Sequence, residues 1–252
     1  MASALFSGIP FHAQSGDQLV SKVVGAAIAA LFKRSDKIEA VVRAEPVAKL
    51  LQGSIDGFDL LAQGLQMYNG MRIEGMELFS EAVSIDFSEI FQGKVKLRQP
   101  TQSSMRVVLT EGDLSLSFNT PFILEKLRRL EVNGRPLEIR QIQIQINNEG
   151  TLRIQAEVNA GEEWLPIDFT SQVDLQERRR IQFVNVKHQG IEEAVAISQS
   201  LVNHVNELLD LDKFALDGTQ LRVDRVRVRD HKIVFYGTAL IDRFPRRKAA
   251  AA

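Results

Sequence analysis

FDLLAQGLQMYNGMRIEGMEL, residues 58–78, decides how the chain folds. Apolar residues stand at even positions in Phe58, Leu60 and Ala62, then pass to odd positions beyond Gly64, at Leu65 and Met67. The next segment reverses the change: Met71 and Ile73 precede Gly75, and Met76 and Leu78 follow it. Alternation of this kind marks strands with one apolar face. A three-residue loop, Tyr68-Asn69-Gly70, folds the halves into an antiparallel hairpin, glycine supplying the positive φ. The register pairs Met67 with Met71, Leu65 with Ile73, Ala62 with Met76 and Leu60 with Leu78, so both phase changes fall at one level. A one-residue change of phase exchanges the apolar face, and glycine there suits a bulge or sharp bend. The hairpin is expected to twist hard or change sides.

The same alternation recurs outward from it. Ile142, Ile144 and Ile146 face Leu152, Ile154 and Ala156 across an Asn148-Glu149-Gly150 loop, with Gln141, Gln143 and Gln145 on the other face. Further strands are expected at 37–43, 164–175, 181–187, 221–229 and 232–241, with turns at 176–180 and 230–231. Pro46 opens a short helical turn that Gly53 stops. Residues 17–32 carry Leu19, Val20, Val23, Val24, Ala27, Ile28 and Leu31 at helical spacing, which predicts an enclosed helix. Lys22, Lys33 and Arg34 flank it and leave an interfacial membrane role open. Thr110 with Asp113 forms a capping box before Leu114, and Thr120-Pro121 starts a second helix with Ile123, Leu124, Leu127 and Leu130. Residues 190–211 form a third, with Ile191, Ala194, Val195, Leu201, Val202, Val205, Leu208 and Leu209 on its apolar stripe.

Composition narrows the function classes. Of 252 residues, 44% are hydrophobic and 25% charged, as in globular proteins. Without cysteine there is no disulfide framework, thiolate nucleophile or Cys-based metal site. A net charge of −1 offers nucleic acid no global attraction, and no aromatic residues interleave with the basic ones as a base-stacking platform would need. The longest apolar run, 23–32, is about half the ~20 residues of a bilayer span. The first residues lack a secretory pattern, so the expected location is cytoplasmic, with peripheral membrane contact open. No linker divides the chain, which is read as one α+β domain over residues 1–248, with alanines 249–252 as a tail outside the fold.

Catalytic signatures are missing from the sequence. Gly93-Lys94 lacks the rest of a phosphate loop, and there is no G-x-S-x-G elbow. His12, His188, His204 and His231 lack zinc-ligand spacing and read as surface or loop residues. The acidic pairs Asp56 and Asp59, Glu162 and Glu163, and Asp210 and Asp212 read as solvated turn and strand residues. Trp164 reads as a half-buried strand aromatic. Three basic groups, Lys94/Lys96/Arg98, Arg222/Arg225/Arg227/Arg229 and Arg178 to Arg180, fit the wet face of a sheet, or less often anionic headgroups.

Residues 38–130 carry a further signal in PVAKLLQG (46–53), FDLLAQGL (58–65), Phe91-Gln92-Gly93-Lys94, Gln99-Pro100 and VVLTEGDL (107–114). In their order these segments resemble the bacterial LmeA-like phospholipid-binding family. The resemblance implies a tubular lipid-binding fold like that of bactericidal permeability-increasing proteins, a long coiled sheet around a helix beside an apolar groove. It brings no catalytic residues and no cofactor.

The expectation is therefore a long, strongly twisted antiparallel sheet wrapped around apolar helices, binding phospholipid or another hydrophobic ligand without catalysis. Candidate lining residues are Val24, Ile28, Leu31, Phe122, Ile123, Leu127, Val195, Val202 and Val205, each equally suited to ordinary core. A second reading is a structural or assembly protein acting through protein contacts, its sheet fully packed. A third, a lipid hydrolase, requires a serine converging with a histidine.

Overall fold

The computed structural model describes residues 21–243 apart from 23, 27, 47, 91–95, 133, 148, 160, 162 and 215–217. Helical residues at 21–22, 24–26 and 28–29 form α1. The strands in chain order are β1 (Lys37–Arg43), β2 (Ser54–Ile55), β3 (Gly57–Gln66), β4 (Arg72–Ser80), β5 (Val83–Ser84), β6 (Thr101–Thr110), β7 (Glu131–Val132), β8 (Arg135–Pro136), β9 (Glu138–Ile146), β10 (Leu152–Asn159), β11 (Leu165–Gln176), β12 (Arg180–Gln189), β13 (Thr219–Arg229) and β14 (Lys232–Ile241). The remaining helices are α2 (Ala48–Leu51), α3 (Phe87–Ile90), α4 (Glu111–Phe118), α5 (Pro121–Leu127), α6 (Glu192–Leu208) and α7 (Leu211–Phe214).

The result is an α+β protein dominated by antiparallel sheet. The strands expected to form one long sheet divide instead into a six-stranded sheet, order β1-β3-β4-β6-β14-β13, and a four-stranded sheet, order β12-β11-β10-β9. Among the described residues there are also two small ribbons, β2-β5 and β7-β8.

The opening hairpin pairs as its sequence dictates, Leu60 with Leu78, Ala62 with Met76 and Leu65 with Ile73. Met67 N–H donates to the Met71 carbonyl at 2.8 Å, closing the loop. Gly64 takes φ +59°, a left-handed conformation costly for residues with a Cβ, and lets the apolar phase pass from Ala62 to Leu65 without a slip in register. Both phases serve one core: Ala62 and Leu65 are buried in the same cluster, against which Ile73 and Met76 pack. The change of phase thus appears as twist along the hairpin rather than a change of side.

Bulges break the other strands. Gln141, at φ +54°, accompanies a register shift between β9 and β10, and Asn185, at φ +52°, one between β11 and β12. The Thr110 capping box forms as read: Asp113 N–H donates to Thr110 Oγ1 and Thr110 N–H to the Asp113 carboxylate.

Helix side chains stitch the sheet edges. Glu111, Ser115 and Asn119, one turn apart at α4 and its cap, bond the free backbone of β9 at Ile146, Ile144 and Ile142. Asn119 Nδ2 also donates to the Ile142 carbonyl at 2.6 Å, so its amide stands in for a neighbouring strand. On the opposite edge Asn206 of α6 does the same for Phe183 of β12. Ser21 of α1 accepts from Val42 N–H on edge strand β1. Covered edges cannot pair with another chain.

Two apolar clusters result. The larger joins the inner face of the four-stranded sheet, α5 and α6 to β13 and β14. The smaller joins α1, β1, β3 and the β2-β5 ribbon. Leu78 and Leu97 pack against both.

Candidate functional site

One face of the six-stranded sheet is built of side chains in cross-strand rows. The row Ala40, Leu60, Leu78, Met105 and Gly237 runs from β1 to β14. Beside it runs Val42, Phe58, Ser80, Ser103 and Ala239, in which two serines stand opposite each other among apolar neighbours. Thr101, paired with Ile241, lies one step further along the same face.

Over this end of the face lies an apolar cavity of about 30 Å³. Its floor is Val42, Phe58, Ser80, Thr101, Ser103 and Ile241, and its roof is Val24 of α1, Ile55 of β2, Val83 of β5, and Ile85 and Leu97. The roof pieces are held together locally, Ile55 pairing with Val83 and Ile85 bridging to Leu97. Gly53 permits the tight corner: it has φ +77°, and a Cβ there would lie 2.3 Å from the Ile85 carbonyl oxygen. The volume matches about one water molecule, so an acyl chain enters only if roof and floor part.

The hydroxyls differ in their bonding. Ser80 donates to the Phe58 carbonyl at 3.3 Å. Ser103, only 2% exposed, has no partner for its Oγ. On the outer side of the wall, exposed Lys96 and Arg98 flank Leu97; Lys96 Nζ lies 3.6 Å from Asp86, and Arg98 Nη1 donates to the Gln52 carbonyl at 3.0 Å. The Asp86 carboxyl is held below its usual range, chiefly by the Ser88 hydroxyl, with Lys96 and Arg98 adding to the effect.

The nine candidate lining residues do not meet in one place. Val24, Ile28 and Leu31 belong to the smaller cluster, and Val24 alone among the nine lines the cavity. Phe122, Ile123, Leu127, Val202 and Val205 pack in the larger cluster beneath α5 and α6. Val195 is half-buried and outside both. The cavity residues Ile55, Val83, Ile85 and Ser103 went unread, because β2 and β5 are too short to show periodicity and a serine in alternating text reads as outward-facing.

A serine does converge with a histidine, Ser198 Oγ lying 2.6 Å from His188 Nδ1. The contact reads as packing. Ser198 is 2% exposed and its hydroxyl donates to the Val195 carbonyl, leaving the ring nitrogen as donor to Oγ. Burial pushes His188 below its usual value. His204 bonds the Lys126 carbonyl and His231 contacts Glu111, while His12 lies outside the described residues.

Two acidic residues expected to be solvated are instead buried: Asp59, paired with Arg43, and Asp210, 2.5 Å from Arg179. Burial would raise Asp210, but the Asp212 backbone N–H and the Arg179 guanidinium outweigh it and hold the carboxyl below its usual range. Most of the basic strand and turn residues are paired, Arg178 with Asp224, Arg222 with Asp212 and Arg229 with Asp230. Arg225 and Arg227 stand over the Tyr236 ring, and Arg140 stacks 3.8 Å from that of half-buried Trp164. Among the described residues no group of acidic or histidine side chains could hold a metal ion, and no helix is long and apolar enough to cross a membrane.

The scaffold is thus an antiparallel α+β fold with a small apolar cavity beneath the β2-β5 ribbon and with most of its named basic residues paired. The model of the LmeA-like phospholipid-binding family matches residues 14–238, and the chain belongs to that family. No curated protein and no solved structure matches it.

Proposed function

We propose that this protein is a non-catalytic phospholipid-binding protein, a single domain of the tubular lipid-binding kind that takes an acyl chain between α1, the β2-β5 ribbon and the six-stranded sheet. The observation that carries this reading is the apolar cavity at the seam of the two clusters, roofed by Val24 of α1 and otherwise by the two-residue strands β2 and β5 and the isolated bridge of Ile85 with Leu97. Short, locally bonded elements open at lower cost than the body of a sheet. Family membership supports phospholipid as the ligand class. At about 0.8 kcal/mol per buried methylene, a chain of about a dozen carbons supplies on the order of 10 kcal/mol before ordering costs, which is set against the cost of parting the roof. Exposed Lys96 and Arg98 beside the wall suit an anionic headgroup and a peripheral role in lipid transfer or sensing at a membrane surface.

The small volume supports a second reading, a scaffold whose interior is filled by its own side chains and which acts through protein contacts. Solvent extraction and mass spectrometry of the purified protein, before and after incubation with phospholipid vesicles, separates the two. Stoichiometric phospholipid supports the binder. A protein clean of lipid that also takes none from vesicles supports the scaffold.

A further inference from the structure

We propose that Ser103 is the polar anchor of the lipid site, its hydroxyl donating to the ester carbonyl at the head of an acyl chain lodged in the cavity. The inference rests on the lipid-binding reading above and adds the group that tells an acyl ester from a plain hydrocarbon chain.

Serine breaks the pattern of its surroundings. It sits on the inner face of β6, where alternation calls for an apolar side chain like that of Met105 two residues on, and it is 2% exposed. Its Oγ has no hydrogen-bond partner, although leaving a buried hydroxyl unpaired is unfavourable. Its opposite number Ser80 directs its own hydroxyl to the Phe58 carbonyl, the Thr101 hydroxyl two residues along makes no bond to it, and the side chains of Val24, Ile55 and Val83 above offer no acceptor. A donor kept waiting in an otherwise oily space suits a ligand that is apolar over most of its length and carries an acceptor at one point. An ester carbonyl meets that description, whereas an ether-linked chain of equal length is the same hydrocarbon without the carbonyl.

The test compares vesicles of diacyl phosphatidylglycerol with vesicles of its dialkyl-ether analogue of matched chain length. Each is incubated with the wild type and with Ser103→Ala, and protein-bound lipid is counted by mass spectrometry across a titration. The wild type is expected to prefer the ester by about three- to tenfold, the net worth of one hydrogen bond, and Ser103→Ala to bind both lipids alike. Because the removed hydroxyl has no partner, Ser103→Ala should melt no lower than the wild type, which checks its fold. Equal loading of both lipids by the wild type would mean that the hydroxyl serves a buried water only, overturning the inference while lipid binding stands. An ester preference that survives in Ser103→Ala would assign the discrimination elsewhere. Loading of neither lipid would remove the functional reading and this inference together.

Discussion

Replacing Ile55 with alanine should weaken the protein and yet tighten its hold on lipid. Ile55 is 3% exposed in the cavity roof, where β2 pairs with β5. Truncation removes about three buried carbons, worth about 2.4 kcal/mol at ~0.8 kcal/mol each. If ~50 Å³ of the vacated space stays empty, the cavity contributes about 1 kcal/mol more, for a total of about 3–4 kcal/mol. An acyl chain that occupies the enlarged space restores much of this, so with saturating lipid the cost should fall to about 2 kcal/mol. Thermodynamic linkage turns the difference, about 1–2 kcal/mol, into roughly five- to thirtyfold tighter binding by Ile55→Ala. The assay is urea unfolding with and without a short-chain diacyl phospholipid held below its micelle concentration. Ile154→Ala, in the larger cluster on β10, is the control: it should be similarly destabilised, and lipid should leave its relative cost unchanged. An equal cost for Ile55→Ala with and without lipid, or weaker binding by it, would refute the reasoning.

Other consequences follow from the fold. Asn119→Ala strips both the N–H and the carbonyl of Ile142 of their partner, and should cost about 2–3 kcal/mol and speed amide exchange at the β9 edge; unchanged exchange there would show that water replaces the amide without penalty. Gly237→Ala would put a Cβ 2.0 Å from the Arg222 carbonyl oxygen at the β13 bulge, contact with backbone that cannot simply rotate away, so the variant should unfold at clearly lower urea than the wild type. Hydrogen bonding from Arg153 holds the Asp168 carboxyl below its usual range, against the opposing effect of burial, and Asp210 is held low as well. Their native forms bind a proton less readily than the unfolded chain does, so this stability is complete above about pH 4 and is lost as pH falls through the lower native values. Asp168→Asn should therefore flatten the decline of melting temperature between neutral and strongly acidic pH, and an unaltered slope would contradict the assignment.

Elements whose signal is local were legible. The 58–78 hairpin declares its register because a turn with glycine and two matched phase changes admit only one alignment, and the α4 start follows from Thr110 and Asp113 alone. The division into two sheets was not legible, since it depends on which strands find each other and on bulges at Gln141 and Asn185, residues that look like ordinary strand polars. The edge stitching had a trace, the spacing of Glu111, Ser115 and Asn119, but polar residues one turn apart also describe any solvated helix face. At the proposed site, helical apolar stripes drew attention to α5 and α6, whose candidates pack in the larger cluster except for Val195, while the cavity wall came from two-residue strands and from isolated residues such as Ile85 and Leu97. Val24 was the point of overlap.

Where the acyl chain lies is the question that most directly tests the account, and a phospholipid bearing a photoreactive group midway along one acyl chain can answer it. After loading from vesicles, irradiation and proteolysis, adducts should map to peptides containing Val24, Ile55 or Val83. Adducts confined to the exterior, or to α5 and α6 beneath the four-stranded sheet, would contradict it.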